Sequence, residues 1–350
     1  METDNKACGC SLMKMKLSLK NYNYLHLQLV FLINICVCLL VLLVYMKLPT
    51  SWKIYQPKFL NQNLIVTQEL NLSSSQFKYL LNEKWKCRNA TPFLILLIIS
   101  RPSEKTARQI IRETWGGISR VNVTSSERDF VVKITHVFML GQAYDAKQEV
   151  IELESLTNKD IVQQDFMDTY RNLTLKTMMA LHWLQNFCPK AVYAMKVDSD
   201  VYLNVQNLVR KVLRPELPHR HDYLTGFYME NFAPVRDPLS KWYVSEDVYA
   251  PKLYPPFCSG TGYVFSTDLA SKIISIAPNV TYVELEDVFV SLCLKKIGIA
   301  PQAPPQPNLF NNHFVPYTPC TYHEIITSHE LSPNQLLLYW TGVFHTLLEC

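Results

Sequence analysis

Hydrophobic and polar positions change their spacing along the chain and mark out three regions. From Leu25 to Tyr45 only His26, Gln28 and Asn34 interrupt an apolar run. A helix of that length, rising about 1.5 Å per residue, spans a bilayer core of about 30 Å, which predicts one transmembrane helix. No small-x-small site follows it, and Tyr45-Met46-Lys47-Leu48-Pro49 is a poor cleavage sequence, so the segment reads as an anchor that stays in place. Residues 1–24 then form a short tail. Residues 46–90 mix Asn, Gln, Leu and Ser without an apolar repeat long enough for a core, the composition of a stem.

The third region, residues 91–350, alternates strand and helix periods. Phe93 to Ser100 is an unbroken apolar run of the kind that belongs to a strand buried on both faces. An amphipathic helix is expected from about Ser103 through Trp115, ended by Gly116-Gly117. Val131 to Leu140 predicts a strand, Asp145 to Leu156 a helix, Leu173 to Phe187 another, and Ala191 to Val197 a strand that runs directly into Asp198. The positions of Val288, Leu292, Leu294 and Ile297 suit a further helix, and the proline-rich stretch Pro301 to Pro307 must be an extended or turning loop. Strands separated by helices predict an α/β fold with a doubly wound sheet, in which ligands sit beyond the carboxyl ends of the strands.

Composition narrows the function. The 350 residues are 48% hydrophobic and 18% charged, with a net charge of +4 and no Lys/Arg block that would track a phosphate backbone, so no nucleic-acid partner is expected. Only 9 glycines are present, and neither G-x-G-x-x-G nor G-x-x-x-x-G-K-[ST] occurs, so any bound phosphate must be held by another device. The absence of H-E-x-x-H, C-x-x-C and G-x-S-x-G removes the commonest zinc hydrolase, thioredoxin and serine hydrolase readings.

Lysines do not orient the anchor, because Lys14, Lys16 and Lys20 before it are matched by Lys47, Lys53 and Lys58 after it. Two other features do. The sequons at Asn71, Asn89, Asn122, Asn172 and Asn279 all follow the anchor, as do Cys87, Cys188, Cys258, Cys293, Cys320 and Cys350, an even set compatible with three disulfides. Both favour a lumenal body behind a cytosolic tail, the single-pass type II layout.

Candidate chemistry gathers at three places. Asp198-Ser199-Asp200 ends a buried strand, and carboxylates two apart on an extended chain project to the same side. They keep their charges cheaply only beside a cation, and hard oxygen donors suit Mg²⁺ or Mn²⁺, able to neutralise a diphosphate. Glu284-Leu285-Glu286-Asp287 opens a helix, where acidic residues either complement the dipole or supply a general base. His329 follows the run Ile325 to Ser328 at another strand end, either as a structural side chain or as a nitrogen ligand to the same ion.

The stretches RPSEKTARQIIRETWG (101–116), DFMDTYRNLTLKT (165–177), MKVDSDVYLN (195–204), YPPFCSGTGYVFS (254–266), LEDVFVSLCL (285–294) and ITSHELSPNQLLLYW (326–340) resemble, in the same order, the β-1,3-galactosyltransferase family of Golgi glycosyltransferases. The resemblance covers about residues 91–350. It implies a GT-A fold with a mostly parallel, Rossmann-like sheet, a UDP-sugar donor, Mn²⁺ dependence and an inverting mechanism. It also implies Asp198, Asp200 and His329 as metal ligands and Asp287 as catalytic base. Arg108 and Arg112 match an Arg-x-x-x-Arg-x-x-Trp block and are expected near the donor. Trp242 and Glu286 are expected at an acceptor ending in β-N-acetylglucosamine; Tyr263 suits core packing better than sugar stacking. Ser199 and Ser291 depart from the family pattern. Galactose is the expected donor sugar. A β-1,3-N-acetylglucosaminyltransferase is separable from it by donor competition, and an inactive carbohydrate-binding protein by the absence of turnover.

Overall fold

A strand with no polar residue has no face to offer water, and Leu94–Ile99 is buried along its whole length at the middle of the main sheet. The computed structural model describes residues 35–36, 77–88, 91–125, 128–144 and 146–344. The chain divides into two units, residues 1–68 and 69–350. Of the first, only Ile35 and Cys36 are described, both helical. The rest of the expected membrane segment 25–45 therefore lies outside the described residues, among which no helix is long and apolar enough to cross a membrane.

The second unit is a mixed α/β body. Its strands are β1 (Tyr79–Leu81), β2 (Leu94–Ile99), β3 (Arg120–Thr124), β4 (Asp129–Gln142), β5 (Ile161–Met167), β6 (Tyr193–Asp198), β7 (Tyr202–Leu203), β8 (Leu224–Met229), β9 (Phe257–Ser266) and β10 (Thr327–Ser328). Its longer helices are α1 (Lys105–Glu113), α2 (Gln148–Asn158), α3 (Leu173–Phe187), α4 (Asp268–Ile276), α5 (Glu286–Lys296) and α6 (Pro333–Phe344). The main sheet runs β1-β5-β4-β2-β6-β9-β8, with β3 hydrogen-bonded beside β4. The inner strands β5, β4, β2 and β6 are parallel, as buried apolar runs joined by crossover helices require. Antiparallel β9 and β8 extend the sheet on one side and β1 on the other.

Alternation along β2 builds two cores. Leu94, Leu96 and Ile98 join the layer that contains Ile111, Trp115 and Trp340, whereas Ile95, Leu97 and Ile99 face Met178, Trp183, Leu269 and Phe289 on α3, α4 and α5. Each fully buried residue of this kind contributes roughly 1.5–3 kcal/mol, so the two layers pin the sheet firmly enough to serve as a platform.

Several expectations change. The body does not begin at residue 91: Tyr79 and Leu81 pair with β5, Phe77 meets the ring of Phe166 edge-on, and Cys87 is disulfide-bonded to Cys188, so this part of the expected stem is an edge of the sheet. Of the cysteines expected to pair, Cys258 and Cys293 are free thiols in the core; Cys320 is disulfide-bonded. The helix expected from Asp145 begins at Gln148. The short strand before His329 does not join the main sheet; it forms a separate two-stranded ladder with β7.

Candidate active site

Two strand ends set the floor of the site. In the parallel register of β2 and β6, Ile99 lies opposite Asp198, so the turns that follow, from Ser100 and from Asp198, emerge side by side. The Ser199 N–H donates to the Ile99 carbonyl (3.1 Å), and Ser199 Oγ donates to Glu104 Oε2 (2.8 Å), tying the two turns together. That contact gives the unexpected Ser199 a clear structural use.

The β7–β10 ladder brings in the histidine. Ser328 pairs with Tyr202, and the Leu331 N–H donates to the Asp200 carbonyl at 3.0 Å, folding residues 329–331 back over the acidic turn. Glu330 makes that reversal in the left-handed region (φ 64°), a conformation costing a non-glycine residue about 1–3 kcal/mol. His329 Nε2 then lies 3.3 Å from Asp200 Oδ2, while Nδ1 lies 3.2 Å from the Asn312 carbonyl. A carbonyl can only accept, so Nδ1 carries the proton and Nε2 faces the carboxylates. Burial works against charge on the ring, but the hydrogen bond and charge of Asp200 outweigh it and raise the imidazole pKa. In the same way His329 overcomes burial and holds the Asp200 carboxyl below its usual range.

Donor atoms of Asp198, Asp200 and His329 all lie within 4.8 Å of one another. Two carboxylates and an imidazole whose second nitrogen is anchored make a mixed oxygen and nitrogen set that fits a divalent cation, Mn²⁺ among them. The expected trio is thus brought together by pairing remote in sequence.

Helix α5 starts with Glu286 and Asp287. Asp287 is partly exposed; its Oδ2 accepts from the Gly260 N–H and its Oδ1 from its neighbour's, Val288, each at 2.9 Å. Burial raises its pKa and the two N–H groups pull it back, so the carboxylate stays oriented with a raised basicity. Glu286 is only 4% exposed, and its partners are Lys196 (3.0 Å), the Tyr263 hydroxyl (2.9 Å) and Thr177 Oγ1 (3.2 Å). Burial pushes its pKa to about 7, with Lys196 opposing and Asp287 assisting. Glu286, expected at the acceptor, does line the cavity, but its carboxylate is held by these buried partners. Tyr263 is buried and donates to it, so its packing role stands, with a polar task added.

One cavity of about 670 Å³ includes Asp198, Asp200, His329 and Asp287 in its lining. Trp242 also lines it, half exposed, with Lys241 Nζ 4.7 Å above its ring. The lining also includes the aromatic side chains of Tyr170, Phe232, Tyr254 and Phe257, a surface suited to sugar faces.

Arg108 and Arg112 are not part of that lining. Arg108 is fully buried and grips Glu154 through Nε (2.9 Å) and Nη2 (2.8 Å) while donating to the carbonyls of Arg101 (2.6 Å) and Pro102 (3.1 Å). Arg112 pairs with Glu154 and Asp160. The expected donor contacts become a buried brace behind the β2–α1 turn, because the carboxylates of α2 and of the chain just before β5 reach the guanidinium groups first. The residues that sequence reasoning missed are those defined by burial. Lys196 and Lys176 are lysines inside apolar patterns, which was the one available signal. Lys176 Nζ lies 2.6 Å from both Asp168 oxygens at the cavity edge.

Comparison with known proteins shows the family. The galactosyltransferase family model matches residues 106–305. The chain is 44% identical over 271 residues to human beta-1,3-galactosyltransferase 2, covering 77% of this chain and 62% of that protein, so it spans less than two thirds of that relative. It is 43% identical over 281 residues to mouse beta-1,3-galactosyltransferase 1, covering 80% and 82%. A solved glycosyltransferase involved in glycosylation of the major capsid of PBCV-1 aligns over 71% of this chain and 98% of its own at 11% identity, with a TM-score of 0.34, too low to carry weight. On the family match and the identity to these two relatives, the chain belongs to the galactosyltransferase family.

Proposed function

We propose that this protein transfers galactose from UDP-galactose to the 3-hydroxyl of a terminal β-N-acetylglucosamine, with inversion and with Mn²⁺ dependence. The observation that carries the reading is the convergence of Asp198, Asp200 and His329 on the same cavity as Asp287. The body is then a GT-A glycosyltransferase domain. The segment 25–45 is its membrane anchor, placing the body in the Golgi lumen in type II orientation.

A cation held by Asp198, Asp200 and His329 would supply positive charge for the donor diphosphate and stabilise the departing nucleotide. Asp287 accepts the proton of the acceptor hydroxyl at Oδ1 or Oδ2, its orientation held by the Gly260 and Val288 N–H groups. The hydroxyl oxygen then attacks the anomeric carbon from the face opposite UDP, so an α-linked donor yields a β-linked product in one displacement. Glu286, directed at Lys196 and Tyr263, is poorly placed as a covalent nucleophile, which favours the single displacement over a double one. Trp242 and the aromatic lining offer the acceptor sugar a stacking surface.

The test uses the purified full chain with UDP-galactose or UDP-N-acetylglucosamine, with and without Mn²⁺, and product linkage determined by NMR. A β-1,3-galactosyl product that requires the cation supports the reading; preference for the other donor reassigns the sugar. No transfer to β-GlcNAc, GalNAc or galactose acceptors refutes it in favour of a non-catalytic carbohydrate-binding role. Asp287→Asn should cut turnover by about 10²–10⁴ while UDP binding survives.

A further inference from the structure

Lys196 stands inside the apolar strand β6, and its side chain is 3% exposed. An ammonium in such a place costs several kcal/mol unless it is fully paired. Here it is paired on three sides. Nζ lies 2.7 Å from Asp198 Oδ1 and 3.0 Å from Glu286 Oε1, and it donates to the Gly260 carbonyl. Gly260 in turn gives its N–H to Asp287 Oδ2 at 2.9 Å. A single side chain therefore connects a carboxylate of the cation trio to the helix start that carries the base.

Two geometric consequences follow. Because Asp198 Oδ1 is engaged by Lys196, Oδ2 is the oxygen left for a cation, so the carboxylate is presented in one orientation. The junction with α5 is also tight: a Cβ on Gly260 would come 2.6 Å from Glu286 Oε1 and 3.4 Å from Asp287 Oδ2. A side chain at residue 260 would require the Glu286 carboxylate to shift, and the backbone there serves both Lys196 and Asp287.

We propose that Lys196 is a positioning residue for the transfer reaction, a strut that fixes the cation-binding Asp198 and, through Glu286 and Gly260, the base Asp287 in one frame. The inference rests on the function proposed above. A strut of this kind acts on the alignment of donor and acceptor and much less on the binding of either. Errors of about 1 Å in that alignment cost roughly 10² in rate. A lysine that served only to scaffold the cation site would instead govern cation affinity. The two roles therefore separate on measurement.

The experiment compares full-chain wild type and Lys196→Met for kcat and donor KM, and separately titrates Mn²⁺ in the presence of UDP by the EPR signal of the free ion. The strut predicts kcat reduced by about 100-fold or more, with donor KM within about threefold. It also predicts Mn²⁺ bound at least as tightly as in wild type, since a positive charge 2.7 Å from a ligand carboxylate is gone. A kcat near the wild-type value, or kcat and Mn²⁺ affinity falling together in the same proportion, overturns it. Should circular dichroism show that Lys196→Met does not hold its fold, the pair Lys196→Met/Glu286→Gln removes both buried charges and must give the same split. A wild type without transfer activity refutes the proposed function, and the strut is then judged on the titration alone: cation binding weakened about tenfold or more by Lys196→Met overturns it.

Discussion

Replacing Arg108 with methionine separates a buried brace from a donor contact. The wild-type guanidinium makes two charged hydrogen bonds to Glu154 and three more to the Arg101 and Pro102 carbonyls and Ser100 Oγ, all without exposure to solvent. Methionine fills much of the same space but satisfies none of these acceptors. Glu154, whose side chain is 2% exposed, keeps Arg112 at 2.8 Å, so the loss falls short of a fully orphaned charge. Breaking a buried pair costs about 3–5 kcal/mol, and in a body of this size each kcal/mol lowers Tm by about 2–4 °C. The expected outcome is a Tm drop of roughly 6–20 °C by calorimetry. At a temperature where the variant is folded, its UDP affinity should stay within about twofold of wild type, because Arg108 does not line the cavity. An unchanged Tm with about tenfold weaker UDP binding would refute the brace and restore the donor contact.

Three further outcomes are expected. His329→Ala should weaken Mn²⁺ binding at least about tenfold by free-ion EPR, and equal affinity would remove His329 from the ligand set. Glu286 has a folded pKa of about 7 against an ordinary 4.5, so between those values the folded state holds a proton that the unfolded chain has released. Its contribution therefore lowers stability as pH rises through that window, by up to about 3 kcal/mol, and urea unfolding of Glu286→Gln against pH should be flatter by that order. Parallel curves would contradict the raised value. The Cys87–Cys188 disulfide closes a separation of 101 residues, so Cys87→Ser/Cys188→Ser should cost about 4 kcal/mol in denaturant unfolding, and an unchanged midpoint would show that the linkage adds nothing.

Local pattern decided a good part of this protein. The apolar run from Phe93 to Ser100 has the pattern of a buried strand and forms one over Leu94–Ile99, and helix α3 occupies the residues expected from its spacing, Leu173–Phe187. The carboxylates Asp198 and Asp200 were visible as charges at a strand end, and Asp287 as an acid in a helix first turn. These features depend on residues within a few positions of one another, so the sequence carries them in full. Tertiary structure decided everything that depends on partners far away in the chain. It placed His329 at Asp200 through pairing of Ser328 with Tyr202, and closed Glu154 around Arg108, 46 residues distant. It also turned Glu286 inward to Lys196 and made the residues around Tyr79 an edge strand. A charge shows in a sequence; whether it meets a ligand, a cation or another buried charge is set by long-range packing, where desolvation selects the partner.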